Sequence, residues 1–148
     1  MYEAIIAMFG LSLMTLLFSG IAFYILLIIA AWKIFTKAGI AGWKSLIPLV
    51  NIYYLFKISW NGRMGVAYML LHLLTGILNA YCHANSIMLY LSIATGLVSL
   101  IFHIVALNRL SKSFGHGTGW TFGLFFLPNI FTLMLGFGKS KYSGPADN

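Results

Sequence analysis

Residues 41–59 read AGWKSLIPLVNIYYLFKIS, and the reading of this stretch decides the fold. It is mostly apolar, yet Lys44 and Lys57 bracket the apolar run, and Pro48 and Asn51 sit inside it. As a helix, residues 45–56 would cover about 18 Å, at a rise of about 1.5 Å per residue. A bilayer's hydrocarbon core is about 30 Å thick. Pro48 also removes a backbone donor, so a segment broken there needs partners on its neighbours. These constraints predict a short interfacial or re-entrant helix facing the cytoplasm. A short helix buried in a thinned bilayer is the alternative.

The surrounding chain makes the solvent lipid. Hydrophobic residues make up 61% of the 148 residues and charged residues only 7%, where a soluble domain has about 25%. Residues 4–32 carry no charge and exceed the roughly 20 apolar residues of a span. Glu3 stands where a signal peptide has its basic region, so this run reads as a retained transmembrane helix. Residues 64–107 are again uncharged, with NAYCHANS at 79–86 as polar turn residues in the middle. They predict a helical hairpin, 64–81 and 87–107. After Arg109, Lys112 and the glycine-rich FGHGTGW at 114–120, residues 121–138 are uncharged but contain Pro128 and Asn129. Their length predicts a further span; a re-entrant segment is the alternative.

The expected fold is therefore an all-α polytopic transmembrane helix bundle. It has four spans plus one short interfacial or re-entrant helix, in one domain over 1–138, with a loose polar tail at 139–148. Five basic residues at 33–63 and two at 109–120, with none at 82–86, place the first and third regions in the cytoplasm by the positive-inside rule and the N-terminus outside. Lys139 and Lys141 conflict with a last segment that crosses. A weak repeat is visible: KAGIAGW at 37–43 precedes Pro48, and GHGTGW at 115–120 precedes Pro128.

The net charge of +7 is not a nucleic-acid footprint, because the basic residues flank apolar runs. Lys33, Lys37, Lys44, Lys57, Arg63, Arg109 and Lys112 form a cytoplasmic collar that fits anionic lipid headgroups, or the docking of an acidic partner. No Asp or Glu lies at depth, and Cys82 is the one cysteine. The histidines do not form a tight metal-ligand spacing, so neither a metal nor a cofactor is expected. No nucleophile elbow or phosphate loop appears, and no enzyme activity is expected.

One polar pattern stands out. His72, Thr75, Gly76, Asn79 and His83 share one helical face, and Ser92, Thr95, Gly96, Ser99 and His103 share another. Antiparallel pairing puts His72 near Ser99 and His103, and Asn79 near Ser92 and Thr95. The candidate intramembrane cluster is His72, Asn79, Ser99 and His103. Such residues serve as packing glue between membrane helices; lining a cavity is the other reading.

At WKIFTKAGIAGWKSLIPLVNIYYLFKI (32–58), LSKSFGHGTGWTFGLFFLPNIFTLMLGFG (110–138) and YSGP (142–145) the chain resembles an uncharacterised family of small bacterial multi-spanning membrane proteins, some of which carry a signal peptidase I label. The resemblance singles out Trp43, Pro48, Asn51, Gly117, Gly119 and Pro128 and implies the cytoplasmic (inner) membrane of a bacterium. It brings no activity. The family's second-span proline box is missing from residues 66–80. The peptidase label does not fit either, because SIMLY at 86–90 lacks the Ser-Met-x-Pro motif. The expected function is an accessory or scaffold subunit acting through helix–helix contacts, with a membrane-protein partner or a second copy. The alternative is a small oligomeric channel or carrier for a small solute or lipid.

Overall fold

The computed structural model describes residues 2–81 and 85–146. Cys82 and His83, in the expected outer turn, and Asp147 in the tail lie outside the described residues. The described residues form six α-helices and no strand. They are α1 Tyr2–Lys37, α2 Pro48–Ser59, α3 Gly62–Tyr81, α4 Ser86–Ser113, α5 Thr118–Phe126 and α6 Pro128–Phe137, with a 3-10 turn at Gly42–Ser45.

Three helices are long and apolar enough to cross a membrane: Met8–Lys37 within α1, Gly62–Tyr81 and Ser86–Ser113. The serine and threonine hydroxyls of α1 are satisfied inside the helix. Ser12, Thr15 and Ser19 donate to the carbonyls of Phe9, Leu11 and Leu16 at 2.8, 2.9 and 3.0 Å. Back-bonding of this kind leaves no unpaired donor in lipid. The expected hairpin is present, with α3 packed along α4. Asn85 caps α4, its side-chain oxygen accepting from Ile87 N at 2.9 Å.

Both prolines behave differently from the expectation. Pro48 and Pro128 each stand at the start of a helix rather than inside one. A first-turn proline has no intrahelical donor to lose and pre-sets the helical φ. The short helix of the opening stretch therefore runs Pro48–Ser59, later than the apolar core suggested. The apolar run 121–138 is likewise not one helix. Leu127, held out of the helical region at φ −130° and ψ 54° before Pro128, divides it into α5 and α6. Their 9 and 10 residues reach about 14 and 15 Å, half a bilayer core each.

The repeat becomes structural. α1 and α4 end in the same glycine motif, with φ +73° at Gly39 and +75° at Gly115. Gly39 N donates to Thr36 O at 3.0 Å and Ile40 N to Phe35 O at 2.9 Å; Gly115 N and His116 N repeat this on Lys112 O and Ser111 O at 2.9 and 3.0 Å. This is the Schellman pattern, which needs a left-handed residue and so favours glycine. Each motif leads through a tryptophan, Trp43 or Trp120, to a helix that begins at proline.

The core lies at one end of the molecule. Ile34 and Phe35 of α1, Ile58 of α2, Leu110 and Phe114 at the end of α4 and Leu135 of α6 form one buried cluster. The ends of α1 and α6 meet there, since Lys37 Nζ donates to Leu135 O at 2.6 Å and to Gly138 O at 2.8 Å. α5 begins at the same end, where Ser111 Oγ donates to Gly117 O at 2.9 Å. So α5 and α6 leave from and return to the same end, folded together by Phe131 against Gly123 and edge-on to Trp120 at 5.2 Å.

The tail is docked up to Ala146 rather than loose. Tyr142 donates its hydroxyl to Ile58 O at 2.9 Å and packs on Phe114 at 5.4 Å, and Ser143 N donates to Ser113 O at 2.8 Å. Away from this end the helices are bare. Within the most apolar 18-residue window of each span only 6%, 6% and 11% is buried. α1 packs on α6 and on the 3-10 turn, and makes no extensive contact with α3 or α4.

Candidate functional site

Three features carry chemistry: the histidine pair between α3 and α4, the basic collar, and a groove between α4 and α5.

In the hairpin one tyrosine ring of α3 lies beside both histidines. The Tyr68 ring lies 4.7 Å from the His72 imidazole and 6.3 Å from that of His103, so it borders both. Tyr68 also packs on Phe56 at 5.0 Å and joins the pair to α2. Sequence reasoning missed Tyr68, although it stands one turn before His72, because an aromatic in a span is lipid-facing by default. Ser99 is buried and its hydroxyl has no hydrogen-bond partner. Asn79 does not join; it is exposed, seven residues beyond His72, about 10 Å further along the helix. The other hydroxyls of the stripes turn inward. Thr75 donates to Leu71 O at 2.9 Å, Ser92 to Leu89 O at 2.8 Å and Thr95 to Leu91 O at 3.0 Å. They assist packing by their small size, not by bonds across the helices. Among the described residues no group of three or more His, Cys, Asp or Glu is placed to hold a metal ion.

The residues singled out by the resemblance do not converge on one point. Trp43, Pro48 and Asn51 surround the first helix break; Gly117, Gly119 and Pro128 surround the second. Gly117 is the N-cap of α5 and its carbonyl receives Ser111 Oγ. Beside it His116 stacks on Trp120, with ring centres 3.7 Å apart and planes 10° from parallel. Burial, and then the charge of Lys37, hold the His116 imidazole below its ordinary value, so it is neutral at pH 7.

The collar is arranged on aromatic rings. Lys33 lies 4.4 Å from the Phe137 ring centre, Lys44 and Lys57 lie 4.2 and 5.5 Å from that of Tyr54, and Arg109 lies 4.2 Å from that of Trp60. Such cation–π pairs hold long side chains in place. Lys44 Nζ also donates to the Tyr54 hydroxyl at 2.9 Å. That bond, with the nearby charges of Lys44 and Lys57, holds Tyr54 below the usual tyrosine value.

The groove has a volume of about 640 Å³, within the roughly 300–1,000 Å³ of ligand pockets. Ile104, Val105, Phe122, Phe125 and Phe126 make its apolar walls, and Arg109 and Lys112 stand at one end. Between them Asn108 Nδ2 donates to Thr121 Oγ1 at 3.1 Å, tying α5 to α4. The groove was not legible beforehand, because it exists only where the chain breaks at Leu127 and lays α5 against α4.

No curated protein and no solved structure matches the chain. A family of unknown function, DUF5684, matches residues 43–145, from Trp43 through both helix breaks and the docked tail. With that match over most of its length, the chain belongs to the family of unknown function DUF5684.

Proposed function

We propose that the protein is a non-enzymatic integral membrane protein, an accessory or scaffold subunit that acts through helix–helix contacts. The observation that carries this reading is the bare N-terminal part of α1, beyond its contact with α6. From Leu11 to Phe18 its large side chains are 49–72% exposed, and a Cβ at Gly10 or Gly20 would meet nothing within 4 Å. A stretch with small residues and, among the described residues, no helix packed on it suits close approach by another helix. A photo-crosslinking residue at Leu13 or Leu17 is expected to capture a second polypeptide, a partner or another copy, in native membranes. Capture of lipid alone at both positions would refute the reading. The second reading, a small oligomeric channel or carrier for a small solute or lipid, is favoured by the α4–α5 groove.

We further propose that the chain crosses the cytoplasmic membrane of a bacterium three times, N-terminus outside, with α5 and α6 as a re-entrant pair. This replaces the expected fourth crossing. It puts all nine Lys and Arg residues on one side, as the positive-inside rule favours, and resolves the conflict over Lys139 and Lys141. Single cysteines at Asn61, Asn85 and Lys141, in a Cys82→Ser background, test it. Asn61 and Lys141 are expected to label from the cytoplasm and Asn85 from outside. A fourth crossing would make Lys141 label with Asn85.

A further inference from the structure

We propose that the groove between α4 and α5 binds one anionic glycerophospholipid. Its phosphate lies at Lys112 and Arg109, and one acyl chain runs along Ile104, Phe122 and Phe126.

The order of chemistry along the groove matches that of the lipid. Lys112 and Arg109 are one turn apart near the end of α4, Asn108 follows, and Ile104 lies deeper. From Lys112 to Ile104 is eight residues, about 12 Å along the helix at 1.5 Å per residue. Charge, polar middle and apolar wall therefore succeed one another over the depth of a headgroup, a glycerol and the first part of an acyl chain. With Nδ2 bonded to Thr121, Asn108 keeps its carbonyl oxygen, and Thr121 its hydroxyl proton, for the glycerol region.

The charge is complementary to an anion. No acidic residue is among the described residues that line the groove. Lys112 is exposed, and Arg109 is steadied over Trp60. Thr118, the first residue of α5, also lines the groove and brings that helix's positive end to the same mouth. The groove opens sideways rather than into water, because Phe122 and Phe126 are 67% and 70% exposed. A soluble anion gains nothing from those two rings, whereas an acyl chain passes over them into the bilayer. This separates a built site from the collar's general attraction for anionic lipid, and it does not depend on what meets α1.

The test is native mass spectrometry of the full chain released from detergent with equal amounts of phosphatidylglycerol and phosphatidylcholine of matched chains. Each basic group near a headgroup favours the anionic lipid about fivefold. The wild type is expected to retain phosphatidylglycerol preferentially, and Lys112→Glu to lower that preference by at least about fivefold. Lys141→Glu makes the same charge change outside the groove and is expected to leave the preference intact. Phe122→Ser with Phe126→Ser should reduce retention of both lipids. Equal retention of the two lipids by the wild type would overturn the proposal. So would an equal loss in Lys112→Glu and Lys141→Glu, which would reduce the effect to net charge. Displacement of the lipid by inorganic phosphate alone would overturn it in favour of a soluble anion. Each variant is run beside size-exclusion chromatography, so that a misfolded sample is replaced by Lys112→Gln, for which a smaller loss of the same sign is expected.

Discussion

Gly136→Leu is expected to detach α6 from α1 and to cost the protein most of its stability in detergent. A Cβ at this position would lie 2.7 Å from both Cα and the carbonyl oxygen of Ala30 and 2.8 Å from its Cβ. These are mostly backbone atoms of a long helix and cannot swing aside. Overpacking costs about 1–3 kcal/mol for ordinary core insertions, and Leu brings three carbons beyond Cβ. The loss spreads, because Leu135, fully buried in the core, and the two carbonyls held by Lys37 depend on the same contact. Thermal unfolding followed by the change in tryptophan emission measures it. Gly20→Leu is the control. Nothing lies within 4 Å of a Cβ at Gly20, and leucine is the better helix former by about 0.8 kcal/mol, so this variant should be at least as stable as the wild type. An equal loss in both would mean that the α1–α6 contact is not where the stability lies.

Tyr142→Ala is expected to release the tail and open the core from its exposed end. It removes the ring packed on Phe114 and the hydroxyl bonded to Ile58 O. Truncating a fully buried aromatic costs about 3–5 kcal/mol; Tyr142 is only partly buried, so about 2 kcal/mol is expected on that scale. Tyr142→Phe keeps the ring and should lose about 1 kcal/mol, the usual worth of one hydrogen bond. Protease cleavage near Lys139 and Lys141 reads the release directly. Burial raises the Tyr142 hydroxyl above its ordinary value. The neutral form is the one that docks, so its contribution is full below about pH 10, the unfolded value. It is lost as the pH rises through the raised folded value. Wild-type cleavage should quicken in that alkaline range, and cleavage of Tyr142→Phe should not show this step. Unchanged cleavage in Tyr142→Ala would show that other contacts hold the tail.

The long spans were legible because absence of charge over 20 or more residues has one physical meaning in a folded chain. The pairing of α3 with α4 was legible for a related reason: a short turn forces antiparallel neighbours. The rest depended on single positions. Leu127 looks like any apolar residue, yet before Pro128 it is held out of the helical region, and one apolar run becomes two helices and a groove. Pro48 reads as a break in a helix until its position as the first helical residue is seen. Tyr142 sits in a polar tail whose composition predicts freedom, and one ring placed on Phe114 cancels that prediction. Asn79 fits the helical face of His72 but not its surroundings, because spacing places a residue on a face without saying how far the partner helix follows it.

The pairing of α1 with α6 also sets an order on biogenesis. Lys37 must wait for Leu135 and Gly138, roughly a hundred residues later in the chain. At about 5–20 residues per second of translation, the first span rests in the membrane for roughly 5–20 s before its own anchor has been made. During that interval α3 and α4 can already close on each other, since both are finished by Ser113. A ribosome that stalls after Ser113 would therefore leave a closed hairpin beside an untethered first helix, a substrate for membrane quality-control proteases that the completed chain is not.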